Sequence, residues 1–495
     1  MPPAPRSRLV CFAVALGVVS LAASPSREIP ITTASDEARQ LYVQARDQAE
    51  NLEFPSAVKL LEQAVALDGS FAMAYLLRGQ SGGGFTTFRD NLEKAVSLAD
   101  KVSPGERHWI MAAKAQAEGD IVETRKHLAE LEKLFPEDKH LQLRLARFER
   151  GVTGDGQKAI AHFRKATALD SSFAAAYNEL GYAQADAGDY GSAESSFKKY
   201  ISLRPDRPNP YDSYAEFLMK TGRYDESIGQ YKKALEKDAT FVASLAGIGT
   251  NQVFKKEFEK ARATFERQRA QSPDLDSQLT ALENVANSYV HEGRPADAAR
   301  VLDDVSQQAA NAGQVPRAVN AQLDAAFLLS ESGKAPDAGA HLERASRLVA
   351  SGTLPESVRA RLTSATSLAR AGVLAAQGRF DAAEGEIAQA RPAIERRRNP
   401  IELRFLNEVL GSVALRQKRY REAIAYFEKG DARSPWAMHQ RARAAEALGQ
   451  NSQAAELFGK VADWNVNDIG YAVVRAEAME KKQAAAVATS GKRRP

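Results

Sequence analysis

The histidines are the first residues to consider for chemistry, because imidazole can act as a general base or as a metal ligand. There are seven, at positions 108, 127, 140, 162, 291, 341 and 439, and no two of them are three to five residues apart. Metal sites built on helices take ligands at such short spacings on one face. The sequence therefore predicts solvated or packed histidines and no metal site.

Two glycine-rich segments could bind phosphate or a partner. Residues 151–156 read GVTGDG, but a phosphate-binding loop follows a buried strand, and no strand pattern precedes this segment. We interpret it as a turn between two helices. Residues 81–84 read SGGG and interrupt a helical pattern, which indicates a degenerate structural unit. A flexible loop that contacts a partner is the alternative interpretation of this second segment.

No constellation in the chain points to catalysis. The sequence lacks HExxH, GxSxG, GxxxxGK[ST], EF-hand and protein-kinase signatures. With 63 acidic residues spread along the chain, no carboxylate pair stands out as an acid and base couple. We predict a protein that is not an enzyme, with no cofactor and no small-molecule substrate.

Charge argues against nucleic acid as a partner. The formal net charge is +4, with 67 Lys and Arg interspersed among 63 Asp and Glu. Nucleic-acid binding requires basic residues clustered on one face. Several of the basic residues in excess lie at the two ends of the chain, so the body of the protein is close to neutral.

The N-terminus has the layout of a secretory signal. Arg6 and Arg8 precede the apolar run 9–21, which meets the small residues Ala22 and Ala23. We predict a signal peptide over 1–23 and a periplasmic or secreted protein without a stable membrane span. An uncleaved membrane anchor is the alternative. The single cysteine, Cys11, lies in this leader, so the mature chain has no disulfide.

The body of the chain repeats with a period of 34 residues. The skeleton is a small residue, a second small residue twelve positions later, an apolar or aromatic residue four after that, and often a proline eight further on. The most regular copies are Gly181, Ala193, Phe197 and Pro205; Ala215, Ser227 and Tyr231; and Gly249, Ala261, Phe265 and Pro273. Weaker copies extend from Ala45 to Val461.

This period and these residue classes resemble the tetratricopeptide repeat family, in an array of bacterial, exported type. The resemblance implies an all-α fold, a right-handed α-α superhelix of about twelve helix pairs. Each pair buries its apolar face only against its neighbours. Gly119, Gly188, Gly222, Gly293, Gly333, Gly378 and Gly449 recur about five residues before each second helix and predict left-handed turn residues.

The spacing divides the array. Residues 34–275 predict an N-terminal array with the 34-residue period, and residues 276–482 predict a C-terminal array with longer units. A last helix over 469–482 is expected to cap the array. Residues 483–495 are predicted to be a disordered basic tail.

The resemblance also implies a binding surface, because the first helix of each pair lines the concave groove in this family. The residues there that packing does not obviously require are Arg144, Phe148, Asn178, Tyr182, Asn209, Asp212, Glu216, Lys220 and Phe254. The three aromatic residues among them have a second interpretation, as core between helices. Some family members grip a C-terminal carboxylate with lysine and asparagines. Arg144, Phe148 and Glu179 stand at the corresponding places here, so a polar peptide or a helix is the expected ligand.

The predicted function is a non-catalytic protein interaction scaffold or adaptor of the bacterial cell envelope. Its partner is a protein or peptide of unknown identity. The alternative is an accessory subunit or sensory module of an envelope enzyme complex or of a membrane kinase.

Overall fold

The computed structural model describes residues 28–82, 84–431 and 434–491, and these residues form helices and no strand. The all-α prediction is confirmed. In this part of the chain 25 α-helices follow one another, which corresponds to twelve successive pairs and one additional helix. They are α1 Asp36–Glu50, α2 Phe54–Leu67, α3 Ala72–Gln80, α4 Gly84–Ser97, α5 Pro104–Ala117, α6 Ile121–Leu134, α7 Lys139–Phe148, α8 Gly156–Leu169, α9 Ala174–Asp186, α10 Tyr190–Leu203, α11 Asn209–Lys220, α12 Tyr224–Lys237, α13 Ala243–Phe254, α14 Phe258–Gln271, α15 Leu275–His291, α16 Pro295–Asn311, α17 Val315–Glu331, α18 Ala335–Ser351, α19 Glu356–Ala376, α20 Phe380–Arg397, α21 Pro400–Arg416, α22 Tyr420–Phe427, α23 Pro435–Ala447, α24 Asn451–Ala462 and α25 Ile469–Gly491.

The small residues of the repeat skeleton allow the two helices of a pair to approach closely. A Cβ on Gly249 would lie 2.3 Å from the ring of Phe265, and a Cβ on Gly247 would lie 2.1 Å from the ring of Tyr231. Both distances are too short for real atoms. Glycine therefore lets an aromatic ring of a second helix pack directly against the backbone of a first helix, within one pair at Gly249 and between two consecutive pairs at Gly247.

The turns inside the pairs have the predicted geometry. All seven predicted turn glycines are in the left-handed region, with φ between 74° and 80°. Three further turns have a side chain at the equivalent position: Leu52 at φ 65°, Lys256 at 62° and Lys418 at 61°. A Cβ raises the energy of this conformation, so these three turns are strained where the others are not.

The chain forms two compact units, one ending at Gly188 and the other beginning at Asp189. Unit 1 contains α1 to α9. Its segment 149–153 is a π-helical turn between α7 and α8, and this is the inter-helix turn expected for GVTGDG. Unit 2 contains α10 to α25. The predicted lengthening of the repeat lies within unit 2, where helices α15 to α21 have 17 to 21 residues.

An extended segment before α1 runs across unit 1. The backbone N–H of Ile29 donates to Asp138 at 2.8 Å, and that of Thr32 donates to Glu106 at 2.8 Å. The hydroxyl of Thr33 donates to Asp68 at 2.6 Å. These three carboxylates precede or begin successive first helices. The segment therefore ties together the amino ends of three pairs, which no sequence pattern predicted.

Helix α25 differs from its prediction in both extent and position. It continues to Gly491, whereas the sequence predicts a helix end at Lys482 and a disordered tail from Gln483. The alanine-rich sequence 484–488 favours helix, which accounts for the extension. The helix also contacts α15, α17 and α23 in addition to its neighbour α24. It therefore folds back along unit 2 and does more than cap its end.

Within the described ranges, no helix combines the length and the apolar character that a membrane crossing requires. The predicted signal peptide 1–23, Cys11 and the last four residues lie outside these ranges.

Candidate functional site

The first helices of unit 1 surround a cavity of about 460 Å³. Its walls are formed by α1, α3, α5 and α7, and Glu179 of α9 also contributes. We call this the unit 1 cavity. It is lined by Tyr42, Arg46, Ala49, Glu50, Leu52, Phe54, Met73, Leu76, Leu77, Gln80, Ser81, Trp109, Gln116, His140, Leu143, Arg144, Arg147, Phe148 and Glu179. Two of the predicted site residues, Arg144 and Phe148, are among them.

Arg144 is held in place by a tryptophan. Its Nη1 donates to the backbone oxygen of Trp109 at 3.0 Å, and its guanidinium carbon lies 4.5 Å from the centre of the Trp109 ring. Burial lowers the pKa of Arg144 to about 9, and the nearby Tyr42 opposes that shift only in part. In the described part of the chain, the guanidinium makes no ion pair. A desolvated cation without an anion is unfavourable, and a ligand anion would relieve that cost.

The two carboxylates of the cavity already have partners. Glu50 accepts from His140 with a distance of 2.8 Å between Oε1 and Nδ1. Burial raises the pKa of Glu50, but His140, Arg46 and Arg147 together outweigh burial, and the net shift is downward. Glu179 pairs with Arg147 at 3.0 Å and with Arg150 at 3.5 Å. Neither carboxylate compensates Arg144.

The two predicted residues on α9 do not line the cavity. Asn178 is buried, and its Oδ1 has no hydrogen-bond partner among the residues that the structure describes. Tyr182 lies under Arg150, whose guanidinium carbon is 5.8 Å from the ring centre. Phe148 is 5% exposed, so it belongs to the core of unit 1 as well as to the cavity wall.

The predicted residues of α11 make contacts within unit 2. Asn209 donates to the hydroxyl of Tyr200 at 3.0 Å. Asp212 accepts from Ser244 at 2.6 Å, and burial raises its pKa to about 7. The ammonium of Lys220 lies 3.3 Å from a carboxylate oxygen of Glu216.

The chain's own C-terminal segment covers the inner face of unit 2, which is the surface formed by α11, α13, α15 and α17. Asn465 donates to the backbone oxygen of Lys220 at 3.2 Å, and Asn467 donates to Asn284 at 2.9 Å. Tyr471 is fully buried, and its ring centre lies 6.1 Å from that of Phe254. Two of the predicted groove positions, at Lys220 and Phe254, are therefore engaged by the protein itself.

Arg475 and His291 also take part in the contact between the C-terminal segment and the inner face of unit 2. The guanidinium of Arg475 lies 4.9 Å from the ring centre of Phe254, and its Nε donates to the hydroxyl of Tyr471 at 3.2 Å. His291 packs against Tyr471 with ring centres 6.1 Å apart. Burial and, to a smaller extent, the nearby Arg475 together lower the pKa of His291 to about 3. The histidine is therefore neutral beside the arginine at neutral pH.

No group of three or more His, Cys, Asp or Glu side chains that could hold a metal ion occurs among the described residues. The structure does bring two histidines together. Nδ1 of His108 lies 2.9 Å from Nδ1 of His127, across the pair α5 and α6. Burial and the neighbouring His108 both lower the pKa of His127. This contact between two helices was not visible in the spacing along either helix.

Family models support the repeat assignment in two segments of the chain. Residues 149–208 and 407–435 match family models described as tetratricopeptide repeat. A mouse protein, Superkiller complex protein 3, is 30% identical over 96 residues, which are 19% of this chain and 6% of that protein's length. A tetratricopeptide repeat protein from Parabacteroides merdae is 15% identical, with 56% of this chain and 98% of that chain covered and a TM-score of 0.35. Yeast Tom70 is 15% identical, with 92% and 96% covered and a TM-score of 0.34.

Proposed function

We propose that the chain is a non-catalytic scaffold that binds a partner segment in the unit 1 cavity. Its matches to tetratricopeptide repeat models, a family of protein interaction modules, support this proposal. The observation that carries this proposal is the contrast between the two units. In unit 2, residues 465–478 of the same chain lie against α11, α13, α15 and α17. A cavity of about 410 Å³ in this unit lies farther along, between α21 and α23. The first helices of unit 1 instead surround a cavity of about 460 Å³.

The size and lining of the cavity suit a peptide or one side of a helix. Ligand cavities in proteins range from roughly 300 to 1,000 Å³ and combine apolar walls with a few polar groups. Here Met73, Leu76 and Leu143 supply apolar wall, and Arg144 and Trp109 supply a cation and a flat ring. Aromatic residues and arginine are the side chains that contribute most to binding energy at protein interfaces.

A photo-crosslinking residue placed in the cavity tests the proposal inside cells. Gln80 is exposed at the cavity, and Gln63 is exposed on α2 and does not line it. A benzophenone side chain at position 80 is expected to give a defined adduct with one protein, and the same group at position 63 is expected to give none. Equal labelling at both positions, or none at position 80, would contradict the proposal.

A variant with a blocked cavity provides a second test of the proposed function. Gln80→Trp with Gln116→Trp places two large rings at exposed positions on the cavity wall, where the core is not disturbed. The matched control is Gln63→Trp with Gln157→Trp, two exposed positions that do not line the cavity. The purified crosslinked protein is expected to bind the control as it binds the unmodified chain, and to lose binding to the blocked variant.

We further propose that the scaffold acts in the bacterial cell envelope, on the basis of the leader over residues 1–23. Cell fractionation with N-terminal sequencing tests this part separately. The expected product lies in the periplasm or the medium and begins at Ala23 or Ser24. An intact chain in the cytosol would contradict the location and leave the binding proposal to its own test.

A further inference from the structure

The chemistry of the unit 1 cavity indicates what kind of segment it binds, on the premise that the proposed function is correct. A guanidinium carries five N–H donors. Arg144 uses one of them on the backbone oxygen of Trp109, and its guanidinium carbon lies over the indole ring, 4.5 Å from the ring centre. Its remaining donors have no carboxylate partner among the described residues. The hydrogen bond and the ring contact together hold the guanidinium in place before any ligand binds.

A second arginine of the cavity is also without an ion pair in the described residues. Arg46 on α1 has its guanidinium carbon 5.7 Å from the centre of the Tyr42 ring. By contrast, Arg147 is paired with Glu179. The cavity therefore contains three arginines and two glutamates, and both glutamates are already engaged. Glu50 attracts Arg46 and Arg147. The cation that no carboxylate compensates is therefore Arg144, beside Trp109.

An anionic group alone does not account for the whole lining. Leu76, Leu77 and Phe148 form an apolar wall beside the two arginines. An acidic side chain next to an apolar one satisfies both parts of the surface. A doubly charged phosphate fits less well, because Glu50 and Glu179 also face the cavity and repel a second negative charge.

We propose that the unit 1 cavity binds an acidic peptide segment, in which an Asp or Glu carboxylate pairs with Arg144 and an adjacent apolar side chain contacts Leu77. Arg46 provides the second positive charge, and Trp109 positions Arg144. The recognised group is a side-chain carboxylate within a segment and not the end of a chain.

Peptide selection on the full-length protein tests this inference. A displayed library of random peptides is screened, and the enriched sequences are synthesised with amidated C-termini and a fluorescent label. Asp or Glu beside an apolar residue is the expected enrichment. Enrichment of basic peptides, of phosphorylated over acidic forms in the follow-up set, or of peptides that need a free C-terminal carboxylate would overturn the proposal, as would a failure to enrich any peptide.

Paired substitutions then assign the contact. Replacing the peptide carboxylate by its amide, and Arg144→Gln in the protein, are each expected to weaken binding by roughly tenfold or more, because a charge-assisted hydrogen bond is lost. Combining the two changes should add little further loss, because both remove one interaction. Arg144→Lys should restore binding only in part, since lysine lacks the planar fork. Full additivity, or an unchanged affinity of Arg144→Gln, would remove Arg144 from the site.

The controls separate this inference from the proposed function. Arg125→Gln changes an exposed arginine on α6 and is expected to leave peptide affinity unchanged. If the blocked variant Gln80→Trp with Gln116→Trp loses binding while Arg144→Gln keeps it, the cavity binds a partner by other chemistry and only the inference fails. If neither variant loses binding, both the inference and the proposed function fail.

Discussion

Helix α25 is expected to detach from the inner face of unit 2 when Tyr471 is replaced by alanine. The ring is fully buried, and its hydroxyl donates to the backbone oxygen of Ala462 at 3.1 Å. Truncating a buried aromatic residue to alanine costs about 3 to 5 kcal/mol. Tyr471→Phe keeps the ring and loses only the hydrogen bonds of the hydroxyl, so the expected cost is about 1 kcal/mol.

Amide hydrogen exchange measured helix by helix is the assay. In Tyr471→Ala the amides of α25 should exchange at least about a hundredfold faster, because each 1.4 kcal/mol changes an opening equilibrium tenfold. Met479→Ala is the matched control on the same helix, because Met479 is 43% exposed. It should change the free energy of unfolding by less than about 0.5 kcal/mol. Unchanged exchange in Tyr471→Ala would refute the claim that α25 covers this surface.

Three further predictions concern the turns, the N-terminal segment and pH. Lys418→Gly should raise the free energy of unfolding by about 1 kcal/mol in urea titrations, because φ at this residue is 61°; a loss of stability would contradict the strain argument. Glu106→Ala should cost about 2 to 3 kcal/mol and expose the segment before α1 to protease, because this buried carboxylate accepts from Thr32 and Ser103; an unchanged cleavage rate would contradict it. Burial raises the pKa of Asp324 from 3.8 to about 7. The stability that its neutral carboxyl contributes is therefore fully present below about pH 4 and is lost as pH rises through 7. Asp324→Asn should therefore be about 4 kcal/mol more stable than the unmodified chain at pH 8 and nearly equal to it at pH 4 in thermal unfolding, and equal stability at both pH values would contradict the assignment.

The repeat skeleton was predictable because each of its positions has one physical reason. Close approach of two helices requires small residues at their contact, and a left-handed φ in the turn favours glycine. Both requirements restrict the residue types at fixed positions of the repeat, so the sequence reveals them. Gly249 against Phe265 shows the first constraint. Lys256 and Lys418 show the limit of the second constraint, because these turns keep the left-handed geometry although glycine is absent.

Part of the lining of the unit 1 cavity could be predicted from the position of each residue in the repeat. Arg144 and Phe148 were identified, and they stand three residues before and one residue after the position of the small residue in the first helix. The same two positions in the first repeat are Tyr42 and Arg46, and Trp109 stands at the first of them in α5. Extending the register upstream would have found these residues. The predicted site residues all lie between Arg144 and Phe254, where the repeat is most regular.

The covering of the inner face of unit 2 could not be predicted in this way. The contact between Tyr224 and Asn465, with 2.9 Å between their oxygens, joins residues 241 positions apart. Helical periodicity identifies an apolar face but not the surface that the face contacts. The same reason explains why the extended segment at Ile29 to Thr33 was missed, since its backbone donors leave no sequence pattern.

The central claim is that a partner protein binds the first helices of unit 1. Hydrogen exchange of the full chain, with and without the crosslinked partner in purified form, tests it most directly. The partner is expected to slow exchange in α1, α3, α5 and α7, and to leave α15, α17 and α25 unchanged. Slower exchange confined to the even-numbered helices, or to the inner face of unit 2, would contradict the claim.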